Sequence, residues 1–231
     1  MLPDSDVVDG VVLGQASRKG LASILRAGAV VIDMSSSQPL RTRLLAQALN
    51  DAGKRFIDAP VSGGVKRAIQ GTLAIMAGGE TSVIEAQRPL LAHMGTTLTH
   101  VGPAGAGHAM KALNNYVSAA GLLATVEALQ LGRQFGLDPA VMTDVFNSST
   151  GKNNTTENKV KPFMLSAAFN SGFSLALMAK DLGIAMSLGR DIGRPMQLGE
   201  EVLQMWRKAS AELGPGADHT EMYRWLAASG D

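Results

Sequence analysis

The sequence contains no cysteine, which removes thiol nucleophiles, disulfides and cysteine-ligated metals together. Charge of either sign is not in surplus: the formal net charge is +1, so no broad basic field exists to recruit nucleic acid or an anionic membrane. No uncharged apolar run approaches the roughly 18 residues needed to span a bilayer. No charged leader precedes an apolar cleavage-type segment either. The four histidines, His93, His100, His108 and His219, show no H-x-x-x-H spacing. No Ser-His-Asp arrangement is visible, so neither a metal site nor a hydrolase is indicated. A soluble, cytoplasmic protein without nucleic-acid or membrane partners is expected.

What is present is enough apolar material, 45% of 231 residues, for one large domain or two modest ones, and two are expected. Through the first hundred residues, short β-type runs (29–34, 55–59, 72–79 and 96–102) alternate with helical stretches (39–52 and 82–94). This pattern indicates an α/β sheet. The consecutive apolar residues of AVVI at 29–32 suit a strand covered on both faces. From about Ala104 strand signals vanish and helical periodicity runs to the end. Ala106 to Phe135 lacks proline and repeats apolar residues at helical spacing, which predicts a spine about 45 Å long at ~1.5 Å per residue. Later helices are predicted from Pro139 behind the cap Asp138, over 156–169, 173–192, 196–213 and 220–228. The expected architecture is an α/β region, 1–104, followed by an all-α region, 105–231.

Three stretches could carry chemistry. Two strand ends supply hydroxyls: AVVIDM runs into Ser35-Ser36-Ser37, and RFIDA runs into Val61-Ser62-Gly63-Gly64. If the strands are parallel, both loops lie at the sheet edge where open α/β folds bind ligands. A hydroxyl followed by unshielded glycine N–H groups suits a small anion, although a plain mobile turn fits too. Asp33 and Asp58 read equally well as loop-stabilising side chains. On the long helix, Lys111 and Asn115 fall at i, i+4 on one face. A lysine there is either a snorkelling side chain or an amine in a dry cleft suited to proton exchange with a carbonyl or hydroxyl oxygen. Lys180-Asp181 is a third candidate. Adjacent helical charges project about 100° apart, so a solvated face fits that pair as well. Trp206 and Trp225 read as core or interface residues.

Taken together, four blocks resemble the β-hydroxyacid dehydrogenase family. They are DAPVSGG at 58–64 leading into G-x-L-x-x-M-x-G-G at 71–79, G-x-x-x-K-x-x-N-N at 107–115, and GF-x-x-x-L-x-x-K-D-L at 172–182. The blocks occur in family order and span most of the chain. The resemblance implies a truncated Rossmann-like dinucleotide-binding domain at 1–104 ahead of the all-α domain, and an NAD- or NADP-dependent oxidoreductase acting on a small β-hydroxy acid or semialdehyde. Lys111 would then be the general acid/base and Asn115 would fix the substrate oxygen. Ser62, Gly63 and Gly64 would grip the substrate carboxylate, while Leu2, Pro3, Ser36 and Lys180 would line the cofactor side. A homodimer or homotetramer is implied by the long helix and its apolar neighbours.

One family feature is missing. The G-x-G-x-x-G turn that seats the dinucleotide pyrophosphate occurs nowhere in the sequence, and with it goes the residue that sorts NAD from NADP. Two expectations follow: the chain is an incomplete version of a longer dehydrogenase with a raw sheet edge, or it binds dinucleotide poorly. The alternative function is a non-enzymatic interaction module that keeps the helical half.

Overall fold

The computed structural model describes residues 1–15 and 18–228. They form two compact units, Met1–Leu113 and Asn114–Asp231. The expected boundary near residue 104 lies just ahead of helix Ala106–Phe135, whose opening turns belong to the first unit.

The first unit begins with elements that the sequence pattern does not announce. These are helix α1 (Ser5–Leu13), a short antiparallel pair β1 (Gly14–Gln15) and β2 (Arg18–Lys19), and one helical turn, α2 (Leu21–Ile24). Asp4 starts α1 by accepting the Val7 N–H at 3.0 Å, an ordinary N-cap.

The sheet comprises β3 (Val30–Asp33), β4 (Arg55–Asp58), β5 (Val61–Ser62), β6 (Ala74–Gly79) and β7 (Thr97–Gly102). Its order is β3-β4-β6-β5, with β7 also on β6. β3 and β4 are parallel and in register from Val30 against Arg55 to Asp33 against Asp58, so their carboxyl ends coincide. Helix α3 (Pro39–Asp51), with Pro39 in its first turn, makes the crossover. β6 runs antiparallel to β4 and β5 and parallel to β7, which it reaches through α5 (Thr81–Leu91). The sheet is therefore mixed.

Both faces are covered. Val30, Ile32, Ile57, Ile75 and Ile84 pack on one side, and Val31, Phe56, Leu45, Leu49 and Val12 on the other. This is why β3 reads as a continuous apolar run: successive side chains enter opposite cores.

DAPVSGG is more than a turn. Val61 and Ser62 pair with Ile75 and Ala74 as β5. Gly63 then caps α4 (Gly64–Ile69), a helix that the sequence reading did not place.

The second unit is helical throughout. Its elements are most of α6 (Ala106–Phe135), α7 (Pro139–Ser148), α8 (Asn154–Asn158), a π-helical turn (Val160–Leu165), α9 (Leu175–Asp191), α10 (Gln197–Leu213), a 3₁₀ turn (His219–Glu221) and α11 (Met222–Ala228). Asp138 caps α7 through the Ala140 N–H at 2.6 Å. The helix predicted over 156–169 is instead two pieces. The capping box of Asn153 and Thr156 starts α8 two residues early. Pro162 then cannot donate to an α-helical ladder, and the chain takes the wider π turn. α9 packs on α10 around a core that includes Leu182, Met186 and Trp206, all fully buried. Trp225 is buried as well.

Candidate functional site

In the first unit, polar groups gather where β3 and β4 end. Asp33 closes β3 and accepts the Ser35 N–H at 2.9 Å and the Ser37 hydroxyl at 3.3 Å. The Ser35 hydroxyl in turn accepts the Leu2 N–H at 2.8 Å, which ties the first residues of the chain to the loop after β3. Leu2 and Ser36 are half-buried and Pro3 is exposed.

Asp58 closes β4 and is fully buried. Its two oxygens accept the N–H groups of Gly105 and His108 at 2.8 and 2.9 Å. A carboxylate from one strand end therefore caps a helix some fifty residues away, where two otherwise orphaned N–H groups and the positive end of the helix dipole favour it. The fit demands glycine: a Cβ on Gly107 would lie 2.4 Å from the Met76 carbonyl oxygen and 2.7 Å from that of Asp58. Asp58 thus stabilises much more than its own turn.

Lys111 follows in the second turn of α6 and is 9% exposed. A snorkelling lysine keeps its head in water, so this degree of burial favours the cleft reading. Ser62 is half-buried beside exposed Gly63 and Gly64. Both glycines have positive φ, 135° and 65°, a conformation that side-chain-bearing residues avoid.

In the second unit, Asn115 continues the α6 face that carries Lys111. Its Nδ2 donates to Asp181 Oδ2 at 2.6 Å, and its Oδ1 accepts from Asn114 at 3.2 Å. One Nδ2 proton is left to offer to a ligand oxygen. Asp181 is buried. The expectation that Lys180 and Asp181 point apart is corrected by their side chains: Lys180 Nζ lies 3.8 Å from Asp181 Oδ1. The length and flexibility of a lysine side chain allow this despite the angular separation of adjacent helical residues.

The residues that sequence reasoning underrated are Asp58, His108 and Asp181. Asp58 and Asp181 sit inside quoted motifs but were weighed as loop and surface groups. His108 was considered only for metal spacing.

A second polar cluster lies in this unit. Asp218 accepts from the Thr220 N–H and hydroxyl, the Ser171 hydroxyl and the Gly172 N–H, at 2.6 to 3.0 Å. Burial works to raise its pKa, but those hydrogen bonds outweigh burial and lower it. His219 is pushed down to about 3 by burial, assisted by the nearby charge of Lys159. Lys159 itself is lowered to about 8 by burial.

A mixed, doubly covered sheet whose strand ends gather buried polar side chains, followed by a helical unit, defines a Rossmann-like architecture. Residues 1–102 match the family model described as the NAD-binding domain of 6-phosphogluconate dehydrogenase. Residues 105–226 match that described as NAD-binding of NADP-dependent 3-hydroxyisobutyrate dehydrogenase. The chain belongs to the β-hydroxyacid dehydrogenase family. It is 36% identical over 94% of its length to the 2-(hydroxymethyl)glutarate dehydrogenase of Eubacterium barkeri, spanning 71% of that protein. It is 33% identical over 90% of its length to the mitochondrial 3-hydroxyisobutyrate dehydrogenase of Bos taurus, spanning 63% of it. Among solved structures, Mycobacterium tuberculosis 3-hydroxyisobutyrate dehydrogenase with L-serine superposes with a TM-score of 0.87 at 33% identity, over 98% of this chain and 77% of that one. No helix among the described residues is long and apolar enough to cross a membrane, and no group of residues there could hold a metal ion.

Proposed function

We propose that this chain carries the substrate side and part of the cofactor side of an NAD- or NADP-dependent oxidoreductase for a small β-hydroxy acid or semialdehyde, of the 3-hydroxyisobutyrate or tartronate semialdehyde type. The observation that carries the reading is the burial of Lys111 on the same helical face as Asn115, whose amide is fixed by buried Asp181. A lysine out of water exchanges a proton more readily near neutral pH than an exposed one.

In the reductive direction the Lys111 ammonium gives its proton to the substrate oxygen as that oxygen gains charge. In the oxidative direction the neutral amine takes the hydroxyl proton. The remaining Nδ2 proton of Asn115 orients the same oxygen. The hydroxyl of Ser62 and the N–H groups of Gly63 and Gly64 hold the carboxylate, which fixes the distance from the acid group to the reacting carbon. A bound nicotinamide supplies the hydride chemistry. The hydrogen-bonded Leu2–Ser35 segment, with Pro3 and Ser36, fits one wall of its cleft, and Lys180 is assigned to the nicotinamide end. Replacing Lys111 by Met in a cofactor-competent form is expected to cut turnover by ~10²–10⁴ with the fold intact. Undiminished turnover would overturn the role.

The reading includes a homodimer or homotetramer, supported by exposed apolar residues in the second unit at Leu131, Phe135, Val141 and Val145. Cytoplasmic location and a small carboxylate substrate belong to it too. A second reading, an interaction module without turnover, is favoured by one fact: the sequence contains no G-x-G-x-x-G to seat a pyrophosphate. Fluorescence titration of this 231-residue chain with NADH and NADPH tests the second reading, which expects an affinity weaker than micromolar; a micromolar value would dismiss the module.

A further inference from the structure

His108 has no part in the chemistry described so far, yet its side chain is fully buried among three elements of the first unit. Its Nδ1 lies 2.8 Å from Thr42 Oγ1 on α3 and 3.9 Å from Asp58 Oδ2 at the end of β4. Its Nε2 lies 3.7 Å from Asp33 Oδ2 at the end of β3.

The Thr42 hydroxyl lies 3.0 Å from the Gln38 carbonyl and 2.8 Å from Nδ1, and the two carboxylates are what bear on the ring's charge. Were the ring neutral, two buried carboxylates would stand beside it with no positive charge from the imidazole. With both nitrogens protonated, the ring offsets two carboxylates that would otherwise be costly to bury.

The place of this cation in the chain is what gives it a role. Asp33 holds Ser35, and Ser35 holds Leu2, the segment assigned to the cofactor wall. Asp58 holds the first turn of α6 through Gly105 and His108. Lys111 lies at i+3 from His108, its neighbour on the helix surface.

We propose that His108, as an imidazolium between Asp33 and Asp58, is a positioning residue that locks the cofactor-side loop after β3 to the helical turn presenting Lys111. It touches neither substrate nor hydride, and acts by fixing where the Lys111 amine stands and which charges surround it. The inference rests on the reading of Lys111 given above, but its test does not require turnover.

Among the groups facing His108 from the elements packed on it are Asp33, Asp58 and Thr42, with Lys111 on its own helix. The test is competitive acylation of the folded chain across pH with trace acetic anhydride, read lysine by lysine by mass spectrometry, on the wild type, His108→Asn and Asp58→Asn. Removing the cation leaves excess negative charge and raises the Lys111 midpoint, whereas removing a carboxylate lowers it. Opposite shifts of about half a pH unit or more are expected, with Lys208 in the second unit unmoved. Mere loosening of the fold would send Lys111 the same way in both variants. Shifts of one sign, or no shift despite a lowered Tm, would overturn the proposal.

Turnover supplies a second readout. In a cofactor-competent form, His108→Asn is expected to lower kcat tenfold or more with little change in KM. Should Lys111→Met keep its turnover, the general-acid reading fails while the acylation result still decides the role of His108.

Discussion

Two aspartate–histidine clusters, one in each unit, use the same residue types and arrive at opposite charge states. In the first, Asp58 and Asp33 face both ring nitrogens of His108, and the ring is held as a cation. In the second, Asp218 is occupied by its own N–H and hydroxyl donors. His219 packs its ring against Phe173 and Trp206, at centroid distances of 5.6 and 6.4 Å, and its buried Nδ1 has no hydrogen-bond partner. Burial holds that ring neutral, with a pKa of about 3. A histidine adjacent in sequence to an aspartate is no more its ion partner than one fifty residues away; the surroundings of the ring decide.

The contrast predicts unequal costs for losing the two carboxylates. Asp58→Ala would leave two buried N–H groups unsatisfied and a buried cation without its partner, and is expected to destabilise by about 3–5 kcal/mol. Asp218→Ala removes a half-buried cap and is expected to cost about 1–2 kcal/mol. Urea midpoints at pH 7 measure both. Equal losses would mean that the first cluster carries no more charge than the second.

A smaller effect sharpens the comparison through pH. The folded-state pKa of His219, about 3, lies below its ordinary 6.5, so between those values the unfolded chain binds the extra proton. Stability contributed by this site is therefore complete above pH 6.5 and falls as pH drops toward 3. His219→Phe is expected to leave stability at pH 7 within about 1 kcal/mol and to flatten that acid limb. An unchanged limb, followed by circular dichroism, would assign it to other groups.

Much of the fold is legible because periodicity reports burial. The run at 29–32 is apolar because β3 faces two cores, and the proline-free stretch from Ala106 to Phe135 is one helix end to end. The miss at 156–169 has a local cause in Pro162. The omission of α1 and α2 does not: their apolar residues, such as Val8 and Val12, define a helix only against the face of the sheet they cover. For the site, residue types at Lys111, Asn115 and Ser62-Gly63-Gly64 can be proposed from motif and spacing. What Asp58, His108 and Asp181 do cannot, because these partners lie 50 to 75 residues away.

By itself, the sequence determined that an α/β region precedes a helical one, the family and the candidate chemistry, since these depend on spacing within one strand or helix. Only the tertiary structure decided that β6 reverses direction, that Asp58 caps α6, and which groups surround each of two buried histidines. The physical reason is that charge state and capping depend on which groups surround an atom out of water, and those groups come from distant parts of the chain.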